Sequence, residues 1–190
     1  MTKPNLIVPK PREHYIYESA LPKNTRLYFL YGLYSQDSPW MKWAIEKLTE
    51  LDPEGHIACP YGYFDDISEV FHNGMTTSEF RTKWNQYYMD LAAANGCSIF
   101  WFPFATDKRA NEHLHLPEVF YELGRHSVYV LNLEKTGCYP AMIIGANEFY
   151  PYRSYIEGAA SAMFCCRYAL LRSLEKTLEV AVEYAKLYHP

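Results

Sequence analysis

The stretch CSIFWFPF, residues 97–104, is apolar at every position except Ser98. An unbroken apolar run of strand length is typical of a parallel sheet, because helices cover both faces of such a sheet. The segment before it, residues 78–95, has the composition of a helix that opens at a serine cap and stops at Asn95-Gly96. A helix leading into a strand that is buried on both faces predicts a domain of the α/β class.

Three more apolar segments have strand character, and helical segments alternate with them. The predicted strands are RLYFLYGLY (26–34), HIACPYGY (56–63) and PAMIIGAN (140–147), and the further predicted helices cover residues 40–51, 117–134 and 154–188. The alternation predicts an α/β three-layer sandwich, with a flavodoxin- or Rossmann-like parallel sheet of about four to five strands. Helices flank this sheet, and a long helical region ends the chain.

Two segments of the sequence allow more than one interpretation. VYVLNL (128–133) has the β-branched content of a strand, but a parallel crossover needs about a dozen residues or more, which favours a helix through this segment. Residues 154–188 fit one long helix or two with a kink. Residues 1–24 contain four of the 12 prolines and predict an N-terminal arm, packed on the surface or on a partner subunit, before a single domain at 25–190.

Composition excludes several classes of function. The 190 residues carry a formal net charge of −4, so a nucleic-acid polymer is not an expected partner. The five cysteines form no Cys-x-x-Cys pair, and no apolar run reaches membrane-spanning length, which favours a soluble cytoplasmic protein. No Gly-x-Gly-x-x-Gly or Walker lysine loop is present, and Glu112, His113 and His115 specify no complete ligand set, so no cofactor or metal is expected.

Ligands of open parallel sheets bind beyond the carboxyl ends of the strands, and those loops are rich in Tyr, Asp and Glu here. After the third predicted strand, PEVFYELGRHS (117–127) carries Glu118 and Glu122 one helical turn apart. The other candidates for substrate contact are one residue in each of three loops or strand ends: Tyr34, Asp107 and Arg153. Tyr34 shares its strand with Tyr28, and Arg153 has the charge to meet a phosphate or a carboxylate.

The segment YELGR (121–125), on a helix after an apolar strand, resembles the catalytic signature of the nucleoside 2-deoxyribosyltransferase superfamily, which includes the 2′-deoxynucleoside 5′-phosphate N-hydrolases. RLYFLYGLY resembles the family's first strand. YYMDLAAANGCSIFWF resembles the segment in which the family has an Asp-Leu pair a few residues before its third strand. LPEVFYELG follows at the spacing that the family keeps between these motifs. The resemblance spans roughly residues 26–150. It implies that Glu122 is the nucleophile, that Asp90 orients the substrate, and that Tyr28 hydrogen-bonds the reacting carboxylate. It also implies a homo-oligomer, dimeric or larger.

The expected function is therefore cleavage of the N-glycosidic bond of a nucleoside or nucleoside 5′-monophosphate, by hydrolysis or by transfer. The loop YGLYSQDSPW stands where the N-hydrolases carry a Gly-rich phosphate loop, so the need for a 5′-phosphate stays open. One alternative is a module of the same fold that binds a nucleotide without turnover. Another is an assembly role for the Tyr-rich surface and the Pro-rich arm.

Overall fold

A single parallel sheet organises the chain. The computed structural model describes residues 5–8, 25–32, 40–60, 77–104, 116–135, 141–164 and 170–189. Within these ranges the strands are β1 (Asn5–Ile7), β2 (Leu27–Gly32), β3 (His56–Ala58), β4 (Gly96–Phe102) and β5 (Met142–Ala146). They lie in the order β1-β3-β2-β4-β5, and every neighbouring pair is parallel.

Five helices are described beside the sheet: α1 (Trp40–Leu51), α2 (Thr77–Asn95), α3 (Leu116–Lys135), α4 (Arg153–Phe164) and α5 (Leu174–Tyr188). The predicted α/β sandwich is confirmed, with five strands in the sheet. VYVLNL is helical and belongs to α3, and the C-terminal region forms two helices rather than one. Leu171, before α5, makes a parallel bridge to Gly145, which separates the two. None of the helices in the described ranges is both long enough and apolar enough to cross a membrane.

The N-terminal segment differs from the prediction of an arm. Asn5–Ile7 pairs in parallel with His56–Ala58 and adds an edge strand to the sheet. The strand is short, and only Ile7 is partly buried, so its sequence carries little of the alternation that identifies longer strands. The rest of residues 1–24 lies outside the described part of the chain, apart from Val8.

The central strands β2 and β4 are buried at every position, and the alternation of their side chains divides the core into two layers. We call them the α3 face and the α1 face. On the α3 face, the sheet packs against α2, α3 and α4 through Leu27, Phe29, Tyr31, Phe100 and Phe102. On the α1 face, it packs against α1 and α5 through Tyr28, Leu30, Cys97, Ile99 and Trp101.

The crossovers place a switch point between β2 and β4. The connection from β2 to β3 passes through α1 on one face, whereas the connection from β4 to β5 passes through α3 on the other face. The chain therefore leaves these neighbouring strands on opposite sides, and in open parallel sheets ligands bind beyond the carboxyl ends at such a point. Gly32 ends β2 there, and a Cβ at this position would overlap the carbonyl oxygen of Trp101. Only glycine allows the two strands to approach so closely at that edge.

Candidate functional site

Glu122 lies on the buried side of α3. The helix begins at Leu116, beyond the carboxyl end of β4. Its buried positions recur at helical spacing, at Val119, Glu122, Leu123, His126, Ser127 and Val130. Val119 and Leu123 pack against the α3 face of the sheet, and Glu122, which lies on the same side of the helix, is turned toward that face. Glu122 is only 2% exposed, and the Nε of Arg125 donates a hydrogen bond of 3.0 Å to its Oε2.

Arg125 joins this glutamate to a second carboxylate. Its Nη1 lies 3.5 Å from Oδ1 of Asp90, and its Nη2 lies 3.9 Å from the sulfur of Met89. Asp90 is near the carboxyl end of α2, where the helix dipole disfavours a negative charge. A guanidinium and an imidazole next to it compensate for that position. The structure thus brings Glu122 and Asp90, both predicted from the sequence, to one cation between α2 and α3.

His126 continues the same network into the sheet. Its Nδ1 lies 3.1 Å from Oδ1 of Asp90, and its Nε2 lies 2.9 Å from Oγ of Ser98. The Ser98 hydroxyl in turn donates to the carbonyl of Met89 at 2.8 Å. Burial of the ring is the largest influence on the pKa of His126 and lowers it, while the hydrogen bond with Asp90 acts in the opposite direction. We call Asp90, His126 and Ser98, with the carbonyl of Met89, the polar chain.

Tyr28 lies elsewhere, and its predicted hydrogen bond with the reacting carboxylate is wrong. Its hydroxyl donates to Oδ2 of Asp52 at 2.7 Å, on the α1 face of the sheet, whereas Glu122 is on the α3 face. The reason is the period of two in a strand, which turns Phe29 and Tyr31 toward α3 and Tyr28 away from it. Tyr31 is therefore the β2 tyrosine that shares a face with Glu122.

We expect Tyr28→Phe to lower the free energy of unfolding by about 1 kcal/mol, because Asp52 loses one of its hydrogen bonds. The same variant should leave any catalytic rate within about twofold of the unmodified protein, since its hydroxyl is across the sheet from Glu122. Urea unfolding and a rate measurement on one preparation check both statements. A large loss of rate without a loss of stability would show that Tyr28 takes part in the candidate site.

The other predicted substrate contacts are less fully described. Tyr34 and Asp107 lie outside the described residues, and for Glu118 only the backbone, within α3, is described. Arg153 begins α4 at the carboxyl edge of β5, where its Nη1 donates to the carbonyl of Ala146 and its Nη2 to that of Leu170 at 3.3 Å. These bonds fix the end of the strand to the segment before α5. A contact between Arg153 and substrate stays a prediction.

Sequence reasoning did not assign three side chains at this end of the fold to the candidate site. Arg125 and His126 follow Glu122 by three and four residues, the spacing that places basic groups next to an acid on a helix, and this signal was present in YELGRH. Tyr150, after β5, had no such signal. It is 2% exposed, its hydroxyl has no hydrogen-bond partner within the described ranges, and burial raises its pKa.

Metal binding has no support from the residues that the structure describes, because no three His, Cys, Asp or Glu side chains gather there. The segment with Glu112, His113 and His115 falls outside them. Comparison of the chain with models of known protein families and with curated protein sequences gave no match.

Proposed function

We propose that this chain cleaves the N-glycosidic bond of a nucleoside or nucleoside 5′-monophosphate, with Glu122 as the nucleophile. The observation that carries the proposal is the meeting of Glu122 and Asp90 on Arg125, between α2 and α3. These carboxylates are 32 positions apart in the sequence, and the resemblance of YELGR and YYMDL assigns them to one reaction. Their shared cation supports that assignment.

The first step of the proposed reaction depends on one carboxylate near the anomeric carbon. Breaking an N-glycosidic bond builds positive charge at the anomeric carbon, and a carboxylate on the face opposite the leaving base stabilises that charge or captures it covalently. Arg125 keeps the Glu122 carboxylate oriented through a charge-assisted hydrogen bond, which limits the loss of side-chain freedom during the reaction. Water or a second base then releases the sugar, so hydrolysis and transfer share the first step.

The second candidate is a module that binds a nucleotide without turnover, and one observation favours it. Glu122 is almost fully enclosed and already paired with a cation, and a carboxylate in that state is a weaker nucleophile than a free one. In this case the network would hold α2 and α3 together beneath a ligand. The two candidates differ in whether the ligand leaves the protein chemically changed.

Incubation with a panel of purine and pyrimidine nucleosides and their 5′-monophosphates tests the proposal. We expect free base to accumulate with at least one member, measured by chromatography, in proportion to protein concentration and time. Adding a second base and looking for a new nucleoside separates transfer from hydrolysis. Tight binding of a nucleotide, by calorimetry, with no free base after hours would select the binding module instead.

A further inference from the structure

The polar chain contains three heavy-atom contacts in series, and each requires one hydrogen between its two atoms. They join Met89 O to Ser98 Oγ (2.8 Å), Ser98 Oγ to His126 Nε2 (2.9 Å), and His126 Nδ1 to Asp90 Oδ1 (3.1 Å). Serine has one hydroxyl hydrogen and a neutral imidazole has one N–H. An ionised aspartate has none. A neutral histidine beside an ionised aspartate therefore leaves one of the three contacts without a hydrogen.

The carbonyl of Met89 fixes the direction of the chain. A carbonyl only accepts, so the hydrogen in the first contact must be that of the Ser98 hydroxyl. Ser98 then has only lone pairs for His126, and the second contact needs a hydrogen on Nε2. The third contact needs one more, either on Nδ1 or on the Asp90 carboxyl group. Without it, two lone pairs would face each other at 3.1 Å in a partly buried place, which is unfavourable.

Several groups contact the His126 ring among the described residues. They are Asp90 from α2, the Tyr129 ring from α3, and the uncharged Ser98 and Phe100 from β4. The Arg125 guanidinium, which bonds both Asp90 and Glu122, also acts on the ring and lowers the pKa of His126.

We propose that Asp90 and His126 act as a single acid, which holds one proton more than an ionised aspartate and a neutral histidine would carry. The proton belongs to the pair, because two groups in such close contact titrate together rather than one at a time. Two arrangements supply one hydrogen for each of the three contacts: an imidazolium beside a carboxylate, and a neutral ring beside a carboxylic acid.

Asp90 is also the end of the pair that a ligand can reach. Its side chain is 29% exposed, whereas the His126 side chain is completely enclosed. If the proposed glycosidic cleavage holds, on which this step alone rests, the departing base takes that proton. The C–N bond then breaks with its electron pair going to the base, the proton passes from the pair to a base nitrogen, and a Glu122 oxygen bonds to the anomeric carbon. In hydrolysis, a water oxygen then bonds to the anomeric carbon, the bond from that carbon to Glu122 breaks with its electron pair returning to the carboxylate, and the proton of that water restores the pair.

The protonation state can be measured on the unmodified protein. Long-range ¹H–¹⁵N spectra report which ring nitrogens carry hydrogen, and ¹³C spectra report the ionisation of the Asp90 carboxyl group. The variants His126→Gln and Asp90→Asn assign the signals. We expect hydrogen on Nε2 at pH 7, together with either hydrogen on Nδ1 or a protonated Asp90. A ring with hydrogen on Nδ1 alone, or a bare Nδ1 facing an ionised Asp90, would overturn the proposal.

Two serines provide a matched pair of variants. Ser98→Ala removes two of the three contacts. The remaining contact needs one hydrogen, which a neutral ring beside an ionised Asp90 provides. We therefore expect the pair to lose its proton at a pH about one unit lower. Ser127 is also buried and its hydroxyl donates to the carbonyl of Leu123 at 2.6 Å, but it is not part of the polar chain. Ser127→Ala should leave the titration unchanged. Equal shifts in both variants, or none in either, would contradict the single acid.

The catalytic step has its own readout. With a nucleoside that releases base, Ser98→Ala should move the alkaline limb of the pH profile of kcat/KM in the same direction as the titration, and Ser127→Ala should not. If the titration shifts while the profile does not, the pair is an acid that the reaction does not use, and the catalytic step is wrong. If no nucleoside releases base, the proposed function fails while the spectra still decide the single acid.

Discussion

Glu122→Gln is expected to slow base release by on the order of 10⁴-fold, the largest effect of any substitution considered for this chain. Glutamine has nearly the same shape and keeps an oxygen that accepts the hydrogen bond from Arg125. It lacks the negative charge that, in the proposed mechanism, stabilises the sugar cation and forms the covalent bond. Packing of α3 is therefore preserved, and the chemistry is lost. The rate is measured by chromatography of free base at saturating and at low substrate.

The matched control is Glu157→Gln. Glu157 lies on α4 and is exposed to solvent, so its neutralisation changes the net charge of the protein by the same amount. Its rate should stay within about twofold of the unmodified protein, because exposed charges have small effects. Circular dichroism and the unfolding midpoint show whether both variants are folded. Full activity in a folded Glu122→Gln protein would remove the nucleophile from the proposed mechanism.

Asp52→Ala should give the largest loss of stability, about 3–5 kcal/mol in the free energy of unfolding. Asp52 is 3% exposed and accepts three hydrogen bonds, from Arg26 Nε at 2.7 Å, Arg26 Nη2 at 2.9 Å and the Tyr28 hydroxyl at 2.7 Å. Removing the carboxylate leaves a largely buried guanidinium and a buried hydroxyl without a partner. Glu54→Ala, two residues further on and exposed, should change stability by less than about 0.5 kcal/mol. A similar loss in both would show that the Asp52 contacts contribute little.

The same carboxyl group makes stability depend on pH in the acid range. Burial opposes its ionisation and is the largest single influence, but the hydrogen bonds from Arg26 and Tyr28 together hold the pKa of Asp52 below its usual value of 3.8. The unfolded chain then binds the proton more readily. The stabilisation is fully present above about pH 4 and is lost as the pH falls through the lowered pKa. Asp52→Asn should unfold with a weaker pH dependence between about pH 4 and pH 2, measured by urea titration at each pH.

The parts of this fold that could be predicted from sequence are those with a local repeat. Residues 97–104 identified a strand buried on both faces, and the apolar spacing of residues 40–51 identified α1. β1 could not be predicted, because three residues at a sheet edge, two of them exposed, have neither repeat nor burial. Tyr28 could have been placed on the correct face by the alternation of β2. That it was not shows that a resemblance to a family gives a residue a role without testing its direction.

The contacts of the candidate site were less predictable than its residues. Glu122 and Asp90 were both identified from short motifs, but the link between them is made by Arg125, 35 positions from Asp90. Likewise, Ser98 meets His126 across 28 positions, and the match depends on how far α3 is displaced along β4. No local pattern encodes that displacement, since it results from the packing of Val119, Leu123 and Val130 against the sheet.

A single helix, α3, carries the proposed nucleophile, the cation that holds it and one member of the proposed acid pair. Glu122, Arg125 and His126 occupy little more than a turn of α3, so no hinge separates them and they move as a unit. Each residue of an α-helix advances the side-chain direction by about 100°. One inserted residue between positions 122 and 126 would swing His126 away from Asp90 while leaving Glu122 where it is. The number of residues between Glu122 and His126 therefore decides whether the two side chains point to the same side of α3.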